Sequence, residues 1–453
     1  MASTGKGLPR SLAGVKLSTD TTAIENDVSR LQSDSLSPRP VISGVQTGLA
    51  KAAVGMATVT IANGGTGYAV GDILKISGGT STFGATVKVT TVNAGVITGV
   101  TINEPGIYTT APTAPFASTG GAGSGATFGG TFNSSNAYSV ANRIVIANND
   151  PAIEYLGYNP KEVTYGYVGN GVQNGTQMCI QFDSDAPRID FLLVGLNSQY
   201  DLYVDGYRVS NAPVATDSSG GAYRYTVDWN GESKVRRYRL CGINTAFGGL
   251  YIGSPYSIMP PVGLRKPLAW QMGDSYTVGV GATQPSYNDF RVMCDLLGLE
   301  GIADGISGAG WTSTQDGRVP EWRVRNKLAV LTKTPDYVFL AMGYNDGGAD
   351  VSRIQAAFTA AVQAVREVTP KAKIIVIGAA TPKGATARLD AVRGTIKQLS
   401  DDLGLEYVDM RDIVNSTNST VYTGPDNIHP TNAGHIFRGT MMGRLVSDKL
   451  GRA

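Results

Sequence analysis

Two histidines, three cysteines and few charges set the first limits on this 453-residue chain. His429 and His435 lie in one short C-terminal stretch, so a multi-histidine zinc site cannot be assembled. Cys179, Cys241 and Cys294 are scattered, odd in number and without C-x-x-C spacing, which indicates neither a disulfide framework nor a thiolate metal knuckle. Charged residues make up only 16%, against about a quarter in ordinary globular proteins. Lys and Arg number 38 against 36 Asp and Glu, a formal +2. That balance leaves no electrostatic footprint for nucleic acid or an anionic membrane. No apolar run reaches the roughly 18 residues of a membrane-spanning helix. The N-terminal stretch MASTGKGLPRSLAGVKL has no apolar segment of signal-peptide length. The expectation is a soluble protein that does not leave a cell by the general secretory route.

What is present is a hydrophobic share of 42%, enough for a substantial core, and abundant glycine (58) and proline (21). At about 150 residues per domain the length suggests about three domains. Residues 1–40 are polar and poorly patterned, and 1–51 are expected to be an attachment or oligomerisation segment; within it Ile24, Val28 and Leu31 fall at helical spacing and predict one short amphipathic helix. It is too short to be stable alone, so it must dock on the chain or on copies of itself. Residues 52–132 shift to Gly, Thr, Val and Ala and alternate as in VTVNAGVITGVTI, predicting a small all-β module. VTIANGGTGY (59–68) is echoed by VTINEPGIY (100–108), each a strand, a glycine turn and a tyrosine. Residues 133–262 hold short aromatic β-rich runs such as RIDFLLVG and YDLYVDGYRV, spaced as in a β-sandwich of jelly-roll type. The basic alternation Lys234, Arg236, Arg237, Arg239 reads as a solvated strand face.

Beyond the linker SIMPPVGLRKP the regime changes. Residues 263–453 alternate apolar runs (PLAWQMG, PDYVFLAMG, KIIVIGAA, LEYVDM) with helical patterns at 351–368, 387–404 and 432–449. This predicts a doubly wound α/β domain with a parallel sheet, whose ligands sit at strand C-terminal ends. Three such ends carry suggestive residues: Gly273-Asp274-Ser275, Gly343-Tyr344-Asn345-Asp346, and Asp426 three residues before His429. The chemistry they fit is acyl transfer. A serine hydroxyl is a poor nucleophile until a neighbouring base takes its proton. His429 is the natural base, with Asp426 folding back to orient the imidazole and stabilise its charged form. An oxyanion then needs preorganised donors, and the N–H groups of Ser275 and Gly308 and the Asn345 amide are of the right kind. Competing readings are structural: Ser275 as a helix N-cap, Asn345-Asp346-Gly347 as a turn, His429-Pro430 as a loop. His435 is assigned to packing or surface, Asp274 to holding the nucleophile turn, and Tyr344 either to the acyl pocket or to ordinary packing.

MGDSYTVG, GISGAG, GYND and DNIHP, in that order, resemble the four blocks of the SGNH (GDSL) hydrolase family over about residues 265–453. The resemblance implies Ser275 as nucleophile, Asp426 and His429 completing the triad, Gly308 and Asn345 as oxyanion donors, and no metal or organic cofactor. The glycine block departs from the pattern: Gly310 is a second candidate, and Asp304 stands where a small or amide residue is common. YDLYVDG, the arginine-rich strand and GGLYIG resemble the β-sandwich that precedes the catalytic domain in some SGNH carbohydrate esterases. That implies a polysaccharide substrate, with the sandwich shaping the cleft, binding glycan or acting as a spacer. GGTGYAVGDIL and its glycine-rich tail resemble small β-modules of bacteriophage tail fibres and tailspikes. This implies a virion protein acting at the host cell surface, attached to tail or baseplate proteins through its N-terminus and trimeric by family analogy. The combined expectation is a serine esterase removing O-acetyl groups from a capsule or O-antigen, without membrane insertion. The rivals are a lipase-like or peptidoglycan-directed bacterial esterase, and a receptor-binding fibre whose hydrolase fold serves adhesion.

Overall fold

The structure, a computed structural model, describes residues 41–450 apart from 158–161, 165–166, 170–176, 244, 264–265, 315–316 and 385. The helix expected around Ile24, Val28 and Leu31 lies outside the described residues, as does most of the attachment segment.

A six-stranded antiparallel sheet and a two-stranded ribbon form the small module between Gly55 and Asn133. Its alternating strands turn Leu74, Val87, Val89 and Phe128 inward onto one core. The two echoed segments occupy equivalent roles. Each strand runs into a left-handed glycine, Gly67 or Gly106, and the tyrosine that follows within two residues is buried, as Tyr68 and Tyr108.

The second unit is a sandwich of two seven-stranded sheets closed over Phe182, Phe191, Tyr200, Tyr238 and Phe247. Its first strand is Gln46–Lys51, which pairs antiparallel with Ala222–Asp228. Those residues fall within the expected attachment segment 1–51, yet they belong to the sandwich. The small module is therefore an insertion between the first sandwich strand and the rest. Two further expectations fail here. Cys179 and Cys241 face each other on neighbouring strands and form a disulfide, a pairing across 62 residues that linear spacing could not indicate. The basic strand is also not a solvated face. Arg236 is buried with its guanidinium 4.0 Å from the Trp229 ring centroid, Arg237 pairs with Asp183 at 2.7 Å, and Arg239 reaches Glu300 of the next domain.

The C-terminal domain has five parallel strands, Leu268–Gly273, Glu300–Gly305, Tyr337–Ala341, Lys373–Ile377 and Glu406–Val408. The order is second, first, third, fourth, fifth. Helices cover both faces. Val351–Val368 and Ala387–Asp402 bury apolar stripes around Phe358, Val362 and Ile396 on one side. Asp289–Leu297 and Asn432–Ser447 pack around Phe290, Met293 and Val446 on the other. The connections leave the first and third strands in opposite directions, which opens a crevice beyond their C-terminal ends.

Candidate active site

Ser275 opens the short helix Ser275–Val278 directly after the first strand, and the third strand runs into the turn Tyr344–Asp346. The two ends are neighbours in the sheet, so Ser275 and Asn345 flank the crevice. Asp274, not Ser275, caps the helix by accepting from the Tyr276 N–H at 3.0 Å, which leaves the serine hydroxyl free for another partner. That partner is His429. Its Nε2 lies 2.8 Å from Ser275 Oγ and its Nδ1 lies 2.6 Å from Asp426 Oδ2.

The loop carrying these two residues is pinned at its base, where Gly424 N–H donates to the His429 carbonyl at 2.7 Å and Thr423 bridges Pro430. At its tip Asp426 Oδ1 accepts the N–H groups of Ile428 and His429 at 3.0 and 2.9 Å. These backbone donors and the imidazole hold the Asp426 carboxyl down at about 2. It stays ionised to orient the imidazole and stabilise the imidazolium.

Hydrogen bonding distinguishes the two candidate glycines. Gly310 N–H donates to the Ser313 carbonyl at 2.7 Å, and a side chain there would strike the Asp346 carboxylate. Gly308 sits at φ +76°, a conformation that favours glycine. Among the described residues no acceptor takes its N–H or that of Ser275. Asn345 is held by one amide hydrogen donated to the Ala309 carbonyl at 2.8 Å, leaving the second for a ligand. Of the residues named from the sequence, Ser275, His429 and Asp426 form one hydrogen-bonded chain, and Asn345 holds the Ala309 carbonyl next to Gly308.

His435 stands apart. It is fully buried, its Nε2 lies 3.0 Å from the Val280 carbonyl, and burial lowers its pKa. It therefore donates from Nε2 to brace the loop that follows the nucleophile helix. Asp274 is also buried, and desolvation raises its carboxyl to about 7. Tyr344 packs edge-on against Tyr276 at 6.0 Å, and Tyr276 lies 5.9 Å from the His429 ring.

Several residues position the site in ways the sequence did not assign to them. The Asp346 carboxylate accepts from Trp311 N–H, Thr312 N–H and Thr312 Oγ1 at 2.7, 2.7 and 2.8 Å, shaping the loop that bears Gly308. Arg323, buried, donates to the Gly273 carbonyl at 2.9 Å and to the Asp304 carbonyl, clamping two strand ends together. Asp304 in turn lies 3.6 and 3.5 Å from Arg323 and Lys327; burial opposes its charge, but these two cations hold its carboxyl below the usual range. From the sandwich, Arg208 donates to Gln284 at 2.5 Å, and Asp201 accepts from Ser286 N–H at 2.8 Å. The sandwich thereby grips the loop beyond the nucleophile helix. Among the described residues no group of three or more His, Cys, Asp or Glu side chains is placed to hold a metal ion, and no helix is long and apolar enough to cross a membrane.

Residues 272–436 match the GDSL-like Lipase/Acylhydrolase family. Solved structures of similar fold include an active site mutant of a family two carbohydrate esterase from Clostridium thermocellum, with TM-score 0.56 and 16% identity, covering 67% of this chain and 99% of that one. The salicylyl-acyltransferase SsfX3 from a tetracycline biosynthetic pathway has TM-score 0.55 and 16% identity, covering 68% and 97%. The acetyl xylan esterase Est2A from the rumen bacterium Butyrivibrio proteoclasticus has TM-score 0.51 and 14% identity, covering 68% and 98%. No curated protein matches the chain. The C-terminal domain is thus a GDSL-like hydrolase domain behind a β-rich N-terminal region.

Proposed function

We propose that the protein is a serine ester hydrolase that removes O-acetyl groups from a polysaccharide. The observation that carries this reading is the unbroken Ser275–His429–Asp426 hydrogen-bond chain, beside two unclaimed backbone N–H groups and the Asn345 amide. His429 Nε2 takes the Ser275 proton as Oγ attacks the acetyl carbonyl. The oxyanion accepts from the Ser275 and Gly308 N–H groups and from Asn345. Collapse breaks the bond to the sugar oxygen, which takes the proton from His429 and leaves as a hydroxyl. Water, deprotonated by the same imidazole, then releases acetate from the acetyl-enzyme. Because the base must be neutral and Asp426 stays ionised, kcat/KM falls on acidification with the slope of a single proton.

The polysaccharide substrate is favoured by the fold shared with carbohydrate esterases over about two thirds of the chain. The setting proposed is a phage tail, with the Gly-rich β module on the particle side and the enzyme facing a host capsule or O-antigen as a homotrimer. Copurification with virions tests that setting separately from the chemistry. The chemistry is tested with p-nitrophenyl acetate and with acetate release from O-acetylated surface polysaccharide. Ser275→Ala is expected to abolish both, and retention of full turnover refutes the mechanism.

A further inference from the structure

Beside Asn345 the crevice widens into a groove of about 400 Å³ lined by Tyr344, Asn345, Lys383, Thr386, Arg388 and Asn427, with Pro382, Gly384 and Leu389 completing it. One end therefore touches an oxyanion donor. Asn427, between Asp426 and His429, forms another wall and holds a left-handed backbone at φ +62°. The lining side chains include two cations and no carboxylate.

Positive charge around the helix Ala387–Asp402 is treated unevenly. Arg393 is paired with Asp409 at 2.5 Å, and Arg411 reaches Asp390 at 3.5 Å. Arg388 and Lys383, by contrast, have no carboxylate within ion-pair distance among the described residues. Asp426, the nearest acid of the triad loop, is already engaged by His429 and two backbone N–H groups. The exposed Arg388 side chain lies across Gly347, where an added Cβ would come within 2.4 Å of Nε and 2.9 Å of Cδ. Glycine at the position just after the Tyr344–Asp346 turn is what lets the guanidinium lie over the groove. The planar fork of the guanidinium matches a carboxylate.

We propose that Arg388, assisted by Lys383, is a subsite for a sugar carboxylate next to the acylated residue, so that the substrate is an acidic polysaccharide containing uronic-type sugars. This rests on the glycan-esterase reading of the same site and adds the charge of its substrate. Two exposed cations in water are screened over about 8 Å at physiological salt, so the preference for acid is strongest in dilute buffer.

The test is calorimetric binding of O-acetylated oligogalacturonate and of its methyl ester, the same backbone with its charge masked, to the full-length Ser275→Ala protein. Binding needs no turnover, so this readout does not depend on catalysis. The expected result is a Kd for the acid at least about tenfold below that for the ester, the size of one charge-assisted contact. In Ser275→Ala/Arg388→Gln that ratio drops to near one, and with Lys383→Gln it falls by a smaller factor. Equal Kd values for acid and ester overturn the proposal, as does a ratio that survives Arg388→Gln. Displacement of the oligomer by inorganic phosphate or sulfate at lower concentration than by galacturonate overturns the carboxylate assignment. Failure of the esterase reading shows elsewhere, as p-nitrophenyl acetate turnover that does not depend on Ser275.

Discussion

The inserted β module and the α/β domain both bury apolar cores but differ in how much polarity they bury with them. Among the described residues of 55–133, the buried set is apolar apart from Tyr68 and Tyr108. Even these hydroxyls accept backbone N–H groups, from Ala126 at 3.4 Å and Ala85 at 2.7 Å. The α/β domain buries Asp274, Asp289, Asp304, Arg323, Lys327, Asp346, His435 and Arg438. A buried charge is costly unless paired, and an apolar replacement of the same shape is often as stable. Stability alone therefore does not explain this set. Its members share a location: Arg323 and Asp304 join strand ends, Asp346 shapes the Gly308 loop, and Arg438 pairs with Asp289 at 3.1 Å while lying 4.7 Å from the Tyr276 ring centroid. In the α/β domain part of this buried polarity holds backbone groups in place beside the reaction, a task the small module does not have.

The sharpest test of that contrast compares the two histidines. His429→Ala is expected to lower kcat by about 10⁴–10⁶-fold, as losing a triad base does, with little change in thermal unfolding because the residue is partly exposed. His435→Ala leaves the Val280 carbonyl without its donor and is expected to cost about 1–3 kcal/mol of stability. Steady-state rates and denaturant melts of both variants check this, and a His435 variant that loses turnover while keeping its stability breaks the division.

The converse holds in the module. Phe128→Ala empties a fully buried site and is expected to destabilise by about 3–5 kcal/mol, while kcat on p-nitrophenyl acetate is unchanged. A parallel loss of kcat in protein that is still folded ties the module to the site and removes the distinction. Asn345→Ala comes next, with about 10²–10³-fold lost from kcat and stability held within the effect of one half-buried hydrogen bond to Ala309.

These regions also differ in how much of them could be read from sequence. Ser275, Asn345, Asp426 and His429 were legible because each lies in a short motif at a strand end, where local order and chemistry coincide. The helix over Val351–Val368 announced itself through its apolar period. What escaped depends on distance along the chain. Gln46–Lys51 finds its partner strand about 180 residues away, and nothing in QTGLAK marks it as a sandwich edge. Cys179 meets Cys241 only because two distant strands pair in one sheet, and Arg239 meets Glu300 only across a domain boundary. Arg323 in PEWRVRN looks like any helix-surface arginine. Its role comes from carbonyl groups exposed at two strand ends, which exist only once the sheet has formed.

The smallest expected effect concerns Asp274, the one carboxyl at the site that burial raises to about 7. Its ordinary value in an unfolded chain is about 3.9. Between those values the folded protein holds a proton that the unfolded chain has released, so folding is favoured fully below pH of about 4. That contribution is lost as pH rises toward 7. Asn at this position keeps an oxygen to accept the Tyr276 N–H and has no charge to bury. The difference in Tm between Asp274→Asn and wild type should therefore grow in favour of the variant from pH 4 to pH 8. Asp426 runs the other way: its carboxyl, lowered to about 2, contributes stability above about 4 that is lost as pH falls through about 2. A Tm difference for Asp274→Asn that stays constant across this range shows that the Asp274 carboxylate is ionised in the folded state. Arg438 and Arg323, the cations that lower its pKa, then outweigh its burial, and the buried polarity around the nucleophile is a balanced charge network rather than a strained one.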